Sequence, residues 1–284
     1  MSLVTAGDAD ARLQSGVGMD SHLRIHWDRV FVLVAALTVL LVVVGHAIFR
    51  AATGHADSTS TEPGPVAAPA ANPCPPPTSR VLRTAPGEGE RRTVALTFDD
   101  GPGQWTDEVL QVLARENVKA TFFVVGKLAA ADAIRVNQAS AAGHAVENHS
   151  WSHPSPNHRR GWSGRPLQTE IKRANEAIFS ITGQQPCYFR PPQGVVKGAT
   201  EATRAAGLSI ALWSVDTRDW ATRGSSAAAT IRSRARLGLE QHHPIVLLHD
   251  GGGDRAATVA ALPGVIEDYR RHGYEFVTLQ DGRI

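Results

Sequence analysis

Hydrophobic and polar positions divide this 284-residue chain into three stretches of different character. From Val30 to Gly45 every side chain except that of Thr38 is apolar, and the uncharged run continues to Phe49, bracketed by Arg29 and Arg50. Twenty residues at about 1.5 Å each span about 30 Å, the thickness of a bilayer core. A helix apolar all round suits lipid, so residues 30–49 are expected to form a single transmembrane helix. Arg12, Arg24 and Arg29 precede it, and Arg50 is the only Arg or Lys between it and Arg80. That asymmetry places residues 1–29 in the cytoplasm as a tail and the rest outside. The alternative is a signal peptide cleaved near Gly54 and Ala56, which would release a secreted protein. Residues 50–85 show no periodicity, and seven of the 17 prolines fall between Pro63 and Pro77 among Ala, Ser and Thr. Such a segment is a semi-rigid linker that holds a domain away from the membrane.

Residues 86–284 alternate between two periods. Strand patterns are expected at Thr93–Phe98, Ala120–Val125, His144–His149, Tyr188–Arg190, Ser209–Val215, Ile245–His249 and Phe276–Leu279. Helical patterns lie between most of them, for example at Asp107–Glu116, Leu167–Thr182, Ser225–Leu237 and Thr258–His272. Gly143, Gly183, Gly207 and Gly273 each close a helical run, where a left-handed residue is wanted. This alternation predicts an α/β fold with about seven mainly parallel strands, either closed into a barrel or doubly wound.

Composition narrows the function classes. Lys and Arg total 29 against 27 Asp and Glu, a formal net charge of +2, so no basic excess asks for nucleic acid. No GxGxxG follows the first strand and there is no P-loop, which argues against a nucleotide cofactor; HExxH and GxSxG are also missing. Two cysteines cannot build a zinc ribbon, so any metal site must draw on Asp, Glu or the 12 histidines. Outside the cytoplasm Cys74 and Cys187 are free to pair, strapping the linker onto the domain wall; the alternative is two free thiols with Cys187 buried.

The candidate chemistry collects after the strand patterns. Asp99 and Asp100 follow the first, His149 and His153 the third, Arg190 closes the fourth, Asp216 and Asp219 follow the fifth, and His249 ends the sixth. In parallel barrels the C-terminal strand ends carry the active site. Histidines four apart can share a metal ion, though His22 and His26 have that spacing without any carboxylate cluster. Two adjacent acids before Gly101-Pro102 can point different ways, one to a metal and one free as a base.

Five short motifs in order give the chain a resemblance to the NodB-homology polysaccharide deacetylases: Thr97–Pro102 (TFDDGP), His149–Pro154 (HSWSHP), Arg190–Gly194 (RPPQG), Asp216–Trp220 (DTRDW) and Leu247–His249 (LLH). The resemblance implies a distorted (β/α) barrel that removes acetyl groups from sugar polymers with a divalent metal, most often Zn2+. It implies that Asp100, His149 and His153 bind the metal, that Asp99 is the general base held by Arg190, and that His249 is the general acid aligned by Asp219. Gln193 would stabilise the oxyanion through its backbone N–H, with Trp220 and Leu247 walling the groove and acetyl pocket. The chain departs from the family where Gln193 stands in place of the usual Tyr, and where Glu147 occupies a position expected to be small. With a membrane anchor and a Pro-rich stalk, the expected substrate is acetylated peptidoglycan beside the membrane. The alternatives are chitooligosaccharide deacetylation, acetylxylan esterase activity, and an inactive wall-binding protein.

Overall fold

The computed structural model describes residues 74–156, 161–162, 164–224 and 226–281. The expected tail, membrane span and most of the linker lie outside those residues. Among the described residues no helix is long and apolar enough to cross a membrane.

Strands and helices alternate. In order they are β1 (Thr93–Asp99), α1 (Thr106–Arg115), β2 (Thr121–Val124), α2 (Gly126–Ala131), α3 (Ala133–Ala141), β3 (Ala145–Asn148), α4 (Gly164–Thr182), β4 (Tyr188–Phe189), α5 (Thr200–Ala205), β5 (Ser209–Ile210), β6 (Val215–Asp216), α6 (Ala227–Ala235), β7 (Ile245–His249), α7 (Ala256–Arg271) and β8 (Glu275–Phe276). The strands pair in parallel in the order β5-β4-β3-β2-β1-β7-β6, with β8 also on β1. Gly143, Gly183, Gly207 and Gly273 all take positive φ, between 69° and 82°, as helix-ending residues should.

Chain connectivity forces this sheet to curl. β5 and β6 are its two edges, yet only Ala211–Ser214 join them. At full extension that connection reaches about 18 Å, whereas seven flat strands at about 4.8 Å spacing would hold their edges roughly 29 Å apart. The result is a curled half-barrel. The end of the Pro-rich stretch crosses the gap: Leu82 bridges Ala211 in parallel and Thr84 bridges Pro244 antiparallel. The single strand expected over Ser209–Val215 is therefore two short strands on opposite edges. An apolar run cannot reveal that its middle leaves the sheet.

Side-chain parity along the strands sorts the core into layers. Val94, Leu96 and Phe98 of β1, Phe122 and Val124 of β2, and Val246 and Leu248 of β7 pack outward with helix residues such as Val109, Leu113, Leu262 and Ile266. Ala95, Phe123 and Ile245 point to the interior. The same inward parity carries on to Thr97 and Asp99 in β1 and to Leu247 and His249 in β7. Asp99 and His249 are register partners, so two inward-facing polar side chains end side by side at the barrel mouth.

Cys74 and Cys187 form a disulfide with Cα atoms 5.2 Å apart, closing a separation of 113 residues. The segment after Cys74 is further held by Thr78 N–H donating to Ser209 Oγ (3.0 Å). Glu147 is fully buried beside this strap. Its Oε2 accepts from the Cys187 and Tyr188 N–H groups, both at 2.8 Å, and its Oε1 from Gln280 Nε2 at 2.7 Å. Glu147 thus ties β3 to the start of β4 and to the C-terminal segment, a role no smaller residue could fill.

Candidate active site

The mouth is a cleft of about 620 Å³ whose lining includes Asp99, Asp100, His149, His153, Gln193, Trp213, Trp220, Leu247 and His249. Three groupings within it have distinct chemistry.

The first is a cluster of lone pairs. His149 Nε2 and His153 Nε2 lie 3.4 and 3.3 Å from Asp100 Oδ1, and the three ligand atoms all fall within 4.8 Å of one another. Asp100 Oδ1 is buried and has no hydrogen-bond partner. His149 Nδ1 lies 2.7 Å from the Arg190 carbonyl, which can only accept. Nδ1 therefore carries the proton in the neutral ring, and Nε2 presents its lone pair to Asp100. Two lone-pair donors at about 2.05 Å from one tetrahedral ion would stand about 3.3 Å apart. The spacing, the orphaned carboxylate oxygen and the fixed tautomer all fit a divalent cation. Burial raises the Asp100 carboxyl, but the neighbouring imidazoles of His149, His249 and His153 outweigh it and hold the group well below the usual carboxylate range. Burial and the His149 ring lower His153, which favours the neutral ligand form.

Local backbone geometry builds this cluster. Asp100 has φ 71°, Ser150 φ 68° and His153 φ 51°. Asn148 Oδ1 accepts from Ser150 N–H (2.7 Å), Ser150 Oγ from His153 N–H (3.0 Å), and Glu170 Oε2 on α4 from Ser152 N–H (2.7 Å). The two histidines thus meet through a side-chain-braced turn. Beneath Asp100 the backbone of Gly251 and Gly252 packs so closely that a Cβ on either would collide with it.

The second grouping is Asp99 with Arg190. The guanidinium is fully buried, and its Nη1 donates to Asp99 Oδ1 (2.7 Å) and Thr97 Oγ1 (2.9 Å). Its Nε and Nη2 donate to the Ala211 and Leu212 carbonyls at 3.2 and 2.9 Å. The guanidinium also lies 3.9 Å from the Phe123 ring centroid. Asp99 Oδ2 faces the Asp100–His149–His153 cluster, 3.8 Å from His149 Nε2.

The third is His249 with Asp219. Asp219 accepts four hydrogen bonds: from His249 Nδ1 (2.7 Å), His249 N–H (2.8 Å), Thr258 Oγ1 (2.8 Å) and Trp220 N–H (2.9 Å). Burial raises Asp219, and the His249 and Thr258 contacts more than offset it, so the group stays below the usual carboxylate range. For His249, burial lowers the imidazole, but the Asp219 hydrogen bond and the charges of Asp219, Asp99 and Asp100 leave it above its ordinary value. Nδ1 is occupied by Asp219, so Nε2 is the free nitrogen.

Gln193 (φ 59°) also lines the cleft, its Nε2 donating to Ser155 Oγ at 3.3 Å. Trp220 is 46 % exposed on the cleft wall, whereas Leu247 is buried.

The sequence profile of the polysaccharide deacetylase family matches residues 87–211, and a chitooligosaccharide deacetylase from Bradyrhizobium is 38 % identical over 203 residues, 65 % of this chain and 87 % of the relative. This chain belongs to the polysaccharide deacetylase family. The peptidoglycan-N-acetylglucosamine deacetylase PgdA of Listeria monocytogenes is 36 % identical over 206 residues, 72 % of this chain. The chain spans about two fifths of that relative's length (42 %). The crystal structure of the Bc1960 peptidoglycan N-acetylglucosamine deacetylase shares 32 % identity with a TM-score of 0.61, covering 70 % of this chain and 90 % of the other.

Several contributors have no role in the sequence reading. Asp250 is buried directly after His249, accepts from Thr106 Oγ1 (2.6 Å) and has an unpartnered Oδ1. Burial pushes its carboxyl up to about 7 despite the Thr106 bond, with the Asp100 and Asp99 charges adding to the rise. Arg255 is buried and spends its donors on the Gly251, Gly252 and Asp254 carbonyls, which fixes the loop beneath Asp100. The run Asp250-Gly-Gly-Gly at a strand end carried a signal for this loop. Trp213 gives the cleft an aromatic wall against Gly194, next to the position where Gln193 replaces an aromatic residue.

Proposed function

We propose that this chain is a metal-dependent hydrolase that removes acetyl groups from N-acetylated cell-surface glycans, with peptidoglycan N-acetylglucosamine as its substrate. One observation carries the reading: three potential metal-ligand atoms within 4.8 Å of one another, a carboxylate gripped by a buried arginine and an imidazole gripped by a buried aspartate share one cleft. Amide hydrolysis needs a nucleophile, a base, an oxyanion site and an acid for a poor leaving group.

Asp100, His149 and His153 would hold the divalent cation, and one carboxylate with two imidazoles suits Zn2+ while leaving positions open. Such a cation supplies a water of lowered pKa and polarises the acetyl carbonyl. Asp99 takes the attacking water's proton on Oδ2, because Arg190 occupies Oδ1. His249 delivers a proton from Nε2 to the departing amine, and Asp219 keeps that imidazole charged and aimed. The backbone N–H of Gln193 donates to the developing oxyanion. Leu247 closes the pocket for the acetyl methyl, and Trp213 and Trp220 supply apolar faces for sugar rings.

The preference for peptidoglycan draws on the membrane helix proposed at residues 30–49, with the domain held outside the cell on its Pro-rich stalk. It also draws on the names of the Listeria and Bc1960 proteins; the Bradyrhizobium name points to chitooligosaccharides. The test is acetate release from peptidoglycan, chitin oligomers and acetylxylan, with and without chelator. Fastest release from peptidoglycan, lost on chelation and restored by Zn2+, is expected. Release that survives chelation overturns the metal-dependent reading, and a clear preference for chitin or xylan overturns the substrate.

A further inference from the structure

The loop from Asp216 to Gly224 carries a feature that the hydrolytic reaction leaves unused. Asp219 turns inward to His249, and Asp216 and Trp220 line the cleft. Between them Arg218 projects to solvent and, among the described residues, has no carboxylate partner. Its guanidinium lies 5.8 Å from the centroid of the Trp220 ring, within cation–π range.

The loop is built to hold Arg218 in place. Its φ is 52°, a conformation that favours Gly or Asn, yet the position carries a long cationic side chain. Asp216 Oδ1 accepts from Arg218 N–H at 2.8 Å, and the Arg218 carbonyl accepts from Thr222 Oγ1 at 2.7 Å and Ala221 N–H at 3.1 Å. Arg234 Nη1 reaches the Thr217 carbonyl and Thr222 Oγ1 at 3.4 and 3.3 Å. Arg223, the other cation of the loop, spends Nη1 on the Trp220 and Thr222 carbonyls, both at 3.0 Å. Arg218 is thus the cation of this loop left to meet a ligand.

We propose that Arg218 and Trp220 form a subsite for an anionic sugar. The exposed indole stacks on the sugar next to the one that loses its acetyl group, and the guanidinium pairs with a carboxylate which that neighbour carries. A guanidinium this close to the stacking face reaches only substituents on the stacked ring, such as an ether-linked lactate or a ring carboxylate. Anions on a distant branch lie beyond it. The inference rests on the deacetylase reading of the cleft and makes that cleft selective for polymers in which N-acetylglucosamine alternates with an acidic sugar, which in peptidoglycan means strands whose lactyl carboxylates are not amide-linked to stem peptides.

The test uses the full-length, zinc-loaded chain in detergent. Four tetrasaccharides are compared: one of alternating N-acetylglucosamine and N-acetylmuramic acid with free lactyl carboxylates, its methyl ester, a uronate-bearing analogue, and chitotetraose. Calorimetric Kd and kcat/KM for acetate release are both read. The muramyl acid should exceed its ester about tenfold in affinity and in kcat/KM. Arg218→Gln should erase that ratio and Arg218→Lys should keep part of it. The uronate arm tells a ring carboxylate from a lactyl one. Equal handling of acid and ester by the native chain, or an unchanged ratio in Arg218→Gln, overturns the subsite. A carboxylate preference in binding without acetate release from any oligomer would uphold the subsite and overturn the deacetylase reading.

Discussion

Replacing Arg190 with Met tests how the proposed base is held. The guanidinium is fully buried and makes four side-chain hydrogen bonds, to Asp99, Thr97 and the Ala211 and Leu212 carbonyls. Methionine fills similar space but leaves the Asp99 carboxylate buried without a cation. Breaking one side of a buried ion pair costs about 3–5 kcal/mol, and each carbonyl stripped of its donor adds about 1 kcal/mol. The expected loss is about 5–7 kcal/mol, a large part of a domain's total stability. Much of it is the unpaired charge, so adding Asp99→Asn should return about 2 kcal/mol or more. The two changes should therefore be strongly non-additive in a double-mutant cycle followed by urea unfolding. Arg190→Lys keeps the charge but cannot reach all four partners, and should fall between. Additivity within about 0.5 kcal/mol would refute the claim that Arg190 acts chiefly by pairing with the buried Asp99 carboxylate.

Other changes probe other parts of the structure. Asp219→Asn removes the group that raises His249, so the alkaline limb of the kcat–pH profile should move to lower pH, with kcat reduced at least about a hundredfold; an unmoved limb would remove His249 from the role of acid. Cys74→Ser with Cys187→Ser frees a 113-residue separation, for which the chain-entropy model gives up to about 5 kcal/mol of stability. An unchanged unfolding midpoint, with and without reductant, would count against the strap. His144 is buried with its Nδ1 accepting from Ala120 N–H (3.1 Å), and burial, helped by Lys119, lowers its imidazole to about 4. The unfolded chain then binds an extra proton between about pH 6.5 and 4, so stability should fall by about 3 kcal/mol as pH drops through that window. His144→Gln should remove this share of the dependence.

The sequence exposed the site more fully than the fold. β1 and β7 are legible as short, mostly apolar runs buried along their whole length, and each leads straight into a polar residue, Asp99 and His249. The glycines that end helices were legible because each takes the left-handed conformation. The gap between β5 and β6 was not legible, since Ala211–Trp213 continue the apolar run of Ile210 while leaving the sheet. Nor was the contribution of Leu82 and Thr84, which sit in a proline-rich setting and gain their meaning only from long-range pairing with Ala211 and Pro244. Glu147 looked anomalous because its partners, the Cys187 and Tyr188 N–H groups, lie 40 or more residues away. Asp250 and Arg255 act on the loop under Asp100 through contacts with Thr106 and with the Gly251 and Gly252 carbonyls, which no sequence motif of the site encodes.

The most direct measurement is metal content. Native protein dialysed against limiting Zn2+ should retain one ion per chain by elemental analysis. Asp100→Ala, His149→Ala and His153→Ala should each lose it while keeping the native circular dichroism spectrum. Zinc retained at full stoichiometry by all three folded variants would contradict the account.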